Sequence, residues 1–140
     1  IEPDLEYVDK YVEAGKISNC AGEGLCSYTT RDELAAAYAM MILKDDRNGR
    51  IFNLGGEAIS QAELVELIND TYGTDLFFEN ISPDKYLQFQ LEHNGEHLGP
   101  IIAGIYTKIR AGEFLMDSDF SAAAGRDHIS WKEYFSGLKP

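Results

Sequence analysis

Several groups of residues have the types and spacing that chemistry needs. Ala21-Gly22-Glu23-Gly24 contains a G-x-G, and Gly55-Gly56 follows a short apolar run. Such glycines cradle a dinucleotide pyrophosphate when a strand leads straight into them and a helix N-terminus leads straight out. Neither pair has that context. The first is followed by the β-prone Leu25-Cys26-Ser27-Tyr28-Thr29, and the second is separated from the next helix cap, Ser60. Glu23 and Glu57 also stand where they would repel phosphate. Both stretches read as turns, so no cofactor-binding residue is expected in this chain. His93 and His97, flanked by Glu92 and Glu96, would suggest a metal face if they shared a helix. Asn94-Gly95 between them argues for an exposed loop instead, and H-N-G-E-H is not the zinc-protease order H-E-x-x-H. His128 lies near Asp127 and Ser130, but neither a constrained nucleophile turn nor an oxyanion hole is legible. Arg126-Asp127-His128 is expected to dock the C-terminal segment by hydrogen bonds. No catalytic residue is assigned.

Cys20 and Cys26 are the cysteines of the chain. A disulfide between them is sterically conceivable, as is simple burial; the lack of export signals favours the reduced state. A C-x5-C spacing without a second pair is not a zinc site, and no metal is expected. Tyr7, Tyr11 and Tyr28 are a different kind of candidate: a tyrosine can wall an apolar pocket and offer one hydroxyl to a carbonyl substrate. Helical tyrosines are also ordinary core-edge residues, and the chain has eight tyrosines.

The elements that must position these residues are marked by their caps. Thr30 with Glu33, Ser60 with Glu63 and Ser130 with Glu133 fit the capping box, and Ser82-Pro83 fits an N-cap followed by proline. Helices are expected from Pro3 to about Ala14, with Leu5, Val8 and Val12 on one stripe, and from Arg31 to Lys44. The latter is apolar almost all round, so deep burial is expected. Further helices are expected over Ser60–Tyr72 with Leu64, Leu67, Ile68 and Tyr72 inward, over Pro83 to about Glu92, over Pro100–Arg110 with Ile101, Ile102, Ile105, Tyr106 and Ile109 buried, and after Ser130. Strands are expected at Arg50–Leu54, bounded by Gly49 and Gly55, and at Asp75–Ile81, Leu25–Thr29 and Lys16–Asn19. The polar Glu92–Gly99 reads as a mobile loop. The pattern is a helix-rich α/β chain, taken as one domain over 1–140.

Composition narrows the function classes. With 12 basic and 24 acidic residues among 140, the net charge is −12. Such a surface repels phosphate backbones and anionic headgroups, so neither nucleic acid nor a membrane surface is an expected partner. No apolar run approaches the ~18 residues of a membrane-spanning helix. The chain opens Ile1-Glu2-Pro3-Asp4, without initiator methionine or signal-peptide regions. It reads as a cytoplasmic chain that is processed, trimmed or a fragment.

The order of motifs resembles one family. Gly15-Lys16-Ile17-Ser18-Asn19-Cys20-Ala21-Gly22-Glu23-Gly24 is similar to that family's G-x-I-x-x-x-A-G-x-G, and Thr30-Arg31-Asp32-Glu33-Leu34-Ala35 to its T-R-x-E/D-L-A helix start. Arg50-Ile51-Phe52-Asn53-Leu54-Gly55-Gly56 with Ser60 and Glu63-Leu64 resembles its strand-and-helix pair. Arg110-Ala111-Gly112-Glu113, Asp117 to Asp119 and Gly125-Arg126 resemble its tail. The family is the NmrA-like, atypical short-chain dehydrogenase/reductases, with quinone oxidoreductases, azoreductases and triphenylmethane-dye reductases as the nearest groups.

The resemblance implies the helix-rich C-terminal substrate lobe of a Rossmann-type protein whose N-terminal dinucleotide-binding half is missing. It implies NADP or NAD as cofactor of the full-length protein, not bound by this chain alone, and hydride transfer to a small conjugated or aromatic, quinone-like acceptor. The substrate side of the cleft would be lined by Tyr7, Tyr11, Asn19, Ala21 and Tyr28. By itself this piece is expected to be inactive, and an apolar face left without its partner half would drive self-association. The alternative implied by the same family is a non-catalytic nucleotide or redox sensor, or a protein-interaction module.

Overall fold

The computed structural model describes residues 1–138. Helices dominate. In chain order the elements are α1 (Glu2–Leu5), α2 (Val8–Ala14), β1 (Lys16–Asn19), β2 (Leu25–Cys26), α3 (Arg31–Leu43), β3 (Ile59–Ser60), α4 (Gln61–Tyr72), β4 (Phe77–Asn80), α5 (Pro83–Arg110), α6 (Phe120–Ala124) and α7 (Trp131–Gly137), with a 3₁₀ turn at Asp45–Arg47. β1 and β4 pair in parallel, Lys16 opposite Phe77 and Asn19 opposite Asn80. A parallel pair needs a long crossover, and here α3 and α4 lie within it. β2 and β3 form a short antiparallel pair, Leu25 opposite Ser60.

The main core lies between the β1–β4 pair and helices α4 and α7. Ile17, Leu64, Val65, Ile68, Leu76, Trp131 and Phe135 are buried there. Each such side chain contributes about 1.5–3 kcal/mol by leaving water. The Trp131 indole N–H donates to the Glu57 carbonyl at 2.6 Å, so the ring is buried with its polar group satisfied. A smaller cluster joins Ala37 of α3 to Phe120, Ala123 and Ala124 of α6, a helix that the sequence pattern did not announce. Two more join the Cys20–Cys26 region to α5 through Tyr86, Ala103 and Ile109.

The caps behave differently from one another. Ser60 and Glu63 form the full reciprocal box. At α3 and α7 only half the box exists: Thr30 and Ser130 accept from the Glu33 and Glu133 amides, and Glu33 turns its carboxylate elsewhere. Ser82 caps α5 with Pro83 at its first position.

Several expectations are corrected. The first helix is two helices. They break at Tyr7, and of the expected stripe Val8 lies in the core while Val12 is 48% exposed. Arg50–Leu54 is not a strand. No other strand lies alongside it among the described residues, and Ile51 is 94% exposed. It is instead clipped to Asp119, whose amide donates to the Asn53 carbonyl and whose carboxylate accepts from the Asn53 amide. α3 is not deeply buried, because only its Ala37 side has a packed neighbour; Ile42 is 83% exposed and Leu43 74%. In α4, Val65 and Thr71 face inward while Tyr72 is exposed. Ile101 and Ile105 of α5 are exposed as well.

Glu92–Gly99 is the junction of two helical arms rather than a loop, and the helix breaks at Asn94-Gly95 as expected. α5 runs through it with one sharp kink at Gly95, whose φ of 73° and ψ of 179° suit glycine. The kink folds the second arm back so closely that a Cβ on Gly99 would lie 2.7 Å from the Gln90 carbonyl oxygen. Pro100 sits inside that second arm, which starts before it.

Candidate functional site

A buried hydrogen-bond chain organises the region where α1, α2, β2 and α5 meet. Asn19, at the end of β1, donates from Nδ2 to Gln61 Oε1 at 2.8 Å. Gln61, the first residue of α4, donates from Nε2 to the Tyr28 hydroxyl at 2.6 Å. Asn19 Oδ1 accepts from the Ala21 amide at 3.0 Å, and this fixes the turn after β1. Arg110 closes the far side, donating to the Cys20 carbonyl at 2.7 Å and to Asn80 Oδ1 at 2.8 Å.

Next to this chain stands a group of tyrosines around one carboxylate. Tyr106 of α5 donates its hydroxyl to Asp4 Oδ1 of α1 at 2.8 Å. Tyr86 meets the Tyr106 ring edge-on at 5.4 Å between centroids. Tyr11 and Tyr28 complete the group. Burial pushes the Asp4 carboxyl above the usual aspartate range. Burial, with the negative charge of Asp4 adding to it, pushes the phenols of Tyr11, Tyr28 and Tyr106 above the usual tyrosine value. Tyr86 is raised by burial too. A tyrosine that takes up protons near neutral pH needs the opposite shift, usually from a neighbouring cation. These four phenols therefore stay protonated, and they can act as aromatic walls and hydroxyl donors. The Cys26 thiol beside them is pushed up to about 11 by burial. Both cysteines are free and buried.

Of the residues picked from sequence, the fold brings Tyr11, Tyr28, Asn19 and Ala21 together. Asn19 and Ala21 are fully or almost fully buried, so they shape the wall from behind. Tyr7 lies outside the group, 46% exposed with the Lys10 ammonium 4.8 Å from its ring centre. Sequence reasoning missed Asp4, Gln61, Tyr86 and Tyr106. Asp4 looked like one more surface acid of an amphipathic helix, and no local spacing connects it to α5.

A separate groove of about 550 Å³ opens between the Gly22-Glu23 turn, the start of α4 and Phe78 of β4. None of Tyr7, Tyr11, Asn19, Ala21 or Tyr28 lines it.

Neither glycine turn fits a dinucleotide. The space over Gly24 is filled by the Ile109 carbonyl of α5, and a Cβ on Gly56 would strike the His128 ring at 2.7 Å. Protein atoms thus stand where a pyrophosphate would have to approach. His93 packs on Phe89 of its own helix, ring centres 4.1 Å apart, and the Gly95 kink separates it from His97. Arg126-Asp127-His128 docks the C-terminal segment as expected: Arg126 pairs with Glu33, Asp127 accepts from Ser121, and His128 bonds Thr29.

No family model matches the sequence. The chain is 35% identical over 113 residues to an NmrA-like family domain-containing oxidoreductase of Aspergillus flavus, covering 76% of this chain and 37% of that protein. Its fold matches a nucleoside-diphosphate-sugar epimerase of Staphylococcus aureus with a TM-score of 0.87 at 21% identity, over 96% of this chain and 48% of that one. It matches the NADPH-dependent quinone oxidoreductase of Escherichia coli, solved with NADPH, at 0.85 and 23% identity, over 96% and 48%. It also matches the Citrobacter sp. triphenylmethane reductase, solved with NADP(H), at 0.83 and 24% identity, over 95% and 48%. The chain spans about half the length of those solved proteins and little more than a third of the Aspergillus one. No helix of the described residues is long and apolar enough to cross a membrane. The sequence match and the shared fold together make this an NmrA-like chain that spans only part of such a protein.

Proposed function

We propose that the chain is the C-terminal substrate lobe of an NAD(P)H-dependent oxidoreductase that transfers hydride to a small, conjugated, quinone-like acceptor. The observation that carries this reading is the cluster of Tyr11, Tyr28, Tyr86 and Tyr106 around Asp4. Protonated phenols on a rigid wall suit a flat aromatic molecule with carbonyl oxygens, which stacks on rings and accepts hydroxyl hydrogen bonds. The nicotinamide supplies the electrons when bound, and the protein positions the acceptor and excludes water. Its dinucleotide is held by a segment outside this chain, since protein atoms occupy the space over Gly24 and Gly56.

The same reading gives the exposed side of α3 a partner. Tyr38, Ile42, Leu43 and the nearby Ile51 form a surface that the dinucleotide-binding half covers; without that half the chain self-associates through it. Two free, buried thiols suit a reducing, cytoplasmic compartment.

The test is calorimetric binding of NADPH and NADH to the 140-residue chain and to the protein extended upstream, followed by quinone-dependent loss of nicotinamide absorbance. Binding and turnover only in the longer protein are expected. Dinucleotide binding by the short chain would sink the assignment of the cofactor to the other half.

A further inference from the structure

Asparagine is followed by glycine twice in the chain, at Asn48-Gly49 and Asn94-Gly95, and the fold treats the two pairs differently. Asn48 and Gly49 are the central residues of a turn from Arg47 to Arg50, at the exit of the 3₁₀ turn, and both are exposed. Asn48 has φ −60° and ψ 133°, Gly49 has φ 72°, and the Arg50 amide donates to the Arg47 carbonyl at 3.2 Å. These are the features of a type II turn. Neither the Asn48 carbonyl nor the Gly49 N–H of its central peptide has a hydrogen-bond partner among the described residues. No atom would meet even a Cβ on Gly49 within 4 Å. That peptide is therefore free to turn. Turning brings the Gly49 nitrogen against the side-chain carbonyl carbon of Asn48, and glycine has no Cβ to block the approach. Asn94, by contrast, lies within α5, and its side-chain amide donates to Gln90 Oε1 at 2.6 Å. The two arms of α5 close on each other beside it, at Gly99 and Gln90, so its backbone cannot turn without parting them.

We infer that Asn48 is a site of self-catalysed deamidation and isoaspartate formation, and that the fold protects Asn94 from the same reaction. The inference is independent of the oxidoreductase reading. The Gly49 amide loses its proton to hydroxide, and its nitrogen attacks Asn48 Cγ. The new N–Cγ bond closes a succinimide ring. The Cγ–Nδ2 bond breaks, and Nδ2 takes a proton from water and leaves as ammonia. A water molecule then opens the ring. Cleavage of the N–Cγ bond gives aspartate. Cleavage of the bond between the Asn48 main-chain carbonyl and the Gly49 nitrogen gives isoaspartate, in which the chain runs through Cγ and the α-carboxyl is free. Nothing is oxidised or reduced. Either product adds a negative charge to a turn whose Arg47 holds the Ala123 carbonyl of α6 at 3.1 Å. The free α-carboxyl makes the isoaspartyl form a substrate for carboxyl methylation by an enzyme of the isoaspartate-repair class, with S-adenosylmethionine as methyl donor.

The experiment ages the whole 140-residue chain at mildly alkaline pH, beside a sample unfolded in guanidinium chloride. Mass spectrometry of peptides spanning each pair follows the conversion of amide to acid. An isoaspartyl methyltransferase with radiolabelled S-adenosylmethionine counts the isoaspartate. In the native chain Asn48 should convert on the order of 10-fold faster than Asn94, because α5 must open before Asn94 can react. In the unfolded sample the two rates should come together. Asn48→Gln, a change in an exposed turn, should keep the native circular dichroism and lose most of the native methyl acceptance. Native conversion of Asn48 no faster than that of Asn94 would overturn the inference. So would methyl acceptance that survives in Asn48→Gln, or a native Asn48 that stays intact over a period in which the unfolded sample converts.

Discussion

The Glu33 carboxylate is gripped by both terminal nitrogens of Arg126, at 2.7 and 2.8 Å, across 93 positions of sequence. The same carboxylate accepts from the Ile129 amide at 3.2 Å. One side chain in the first turn of α3 thus fixes the segment that leads into α7, and α7 supplies Trp131 and Phe135 to the main core. Hydrogen bonding from Arg126 holds the Glu33 carboxyl below the usual glutamate range.

Arg126→Ala should therefore destabilise the chain by about 1–2 kcal/mol, at or just below the low end of the range for charged hydrogen bonds, because the guanidinium is half exposed and screened. The sign of the pH dependence follows from a depressed folded value. The contribution is present above the unfolded glutamate pKa of about 4.3 and is lost as pH falls through the folded value. Urea midpoints of the two proteins should differ at pH 6 and converge as pH falls below the ordinary glutamate value and through the lower folded one. A gap that persists in acid would show that Arg126 acts by packing alone.

Gln61 bridges Asn19 and Tyr28 and is itself 1% exposed. Gln61→Leu keeps the bulk and removes both hydrogen bonds, leaving the Asn19 amide buried without an acceptor. A loss of about 2–3 kcal/mol is expected, against about 1 kcal/mol for Tyr28→Phe. Chemical denaturation of the two variants tests the order, and a larger loss for Tyr28→Phe would contradict it.

Two glycines should respond in opposite directions. Gly24→Ala drives a methyl into the Ile109 carbonyl, so α5 or the turn must move, at a cost of about 1–3 kcal/mol. Gly104 lies in the second arm of α5 with open space over its Cα, and Gly104→Ala should stabilise by about 0.5–1 kcal/mol. Thermal melts of the pair decide it; like signs would mean the local packing differs from that described.

The Cys26 thiol, raised to about 11 by burial, is almost wholly un-ionised at pH 8. Together with the burial of Cys20, this predicts that iodoacetamide labels neither cysteine in the native chain and both after denaturation. Mass spectrometry gives the count. Rapid native labelling of Cys26 would show that its neighbourhood is open to solvent.

Sequence alone determined most of the local structure. Caps and stops are chemical events within a few residues: Ser60 and Glu63 close a box, Ser82 and Pro83 open α5, and Gly73 ends α4 with φ 66°. Motif order was enough to point to the NmrA-like family, because it records the succession of such local events. What only the tertiary structure decided is which surface meets which. α3 is apolar on all sides, so periodicity demands burial for it and cannot say that only Ala37 finds a partner here. Arg50–Leu54 has the composition of a buried strand, but a strand exists only through hydrogen bonds to another, and none pairs with it among the described residues. The tyrosine group is the clearest case. Tyr11 and Tyr28 were legible as candidates, yet Asp4 and Tyr106 stand 102 positions apart, and only the packing of α5 against α1 turns a surface acid and a core-edge tyrosine into one hydrogen-bonded pair.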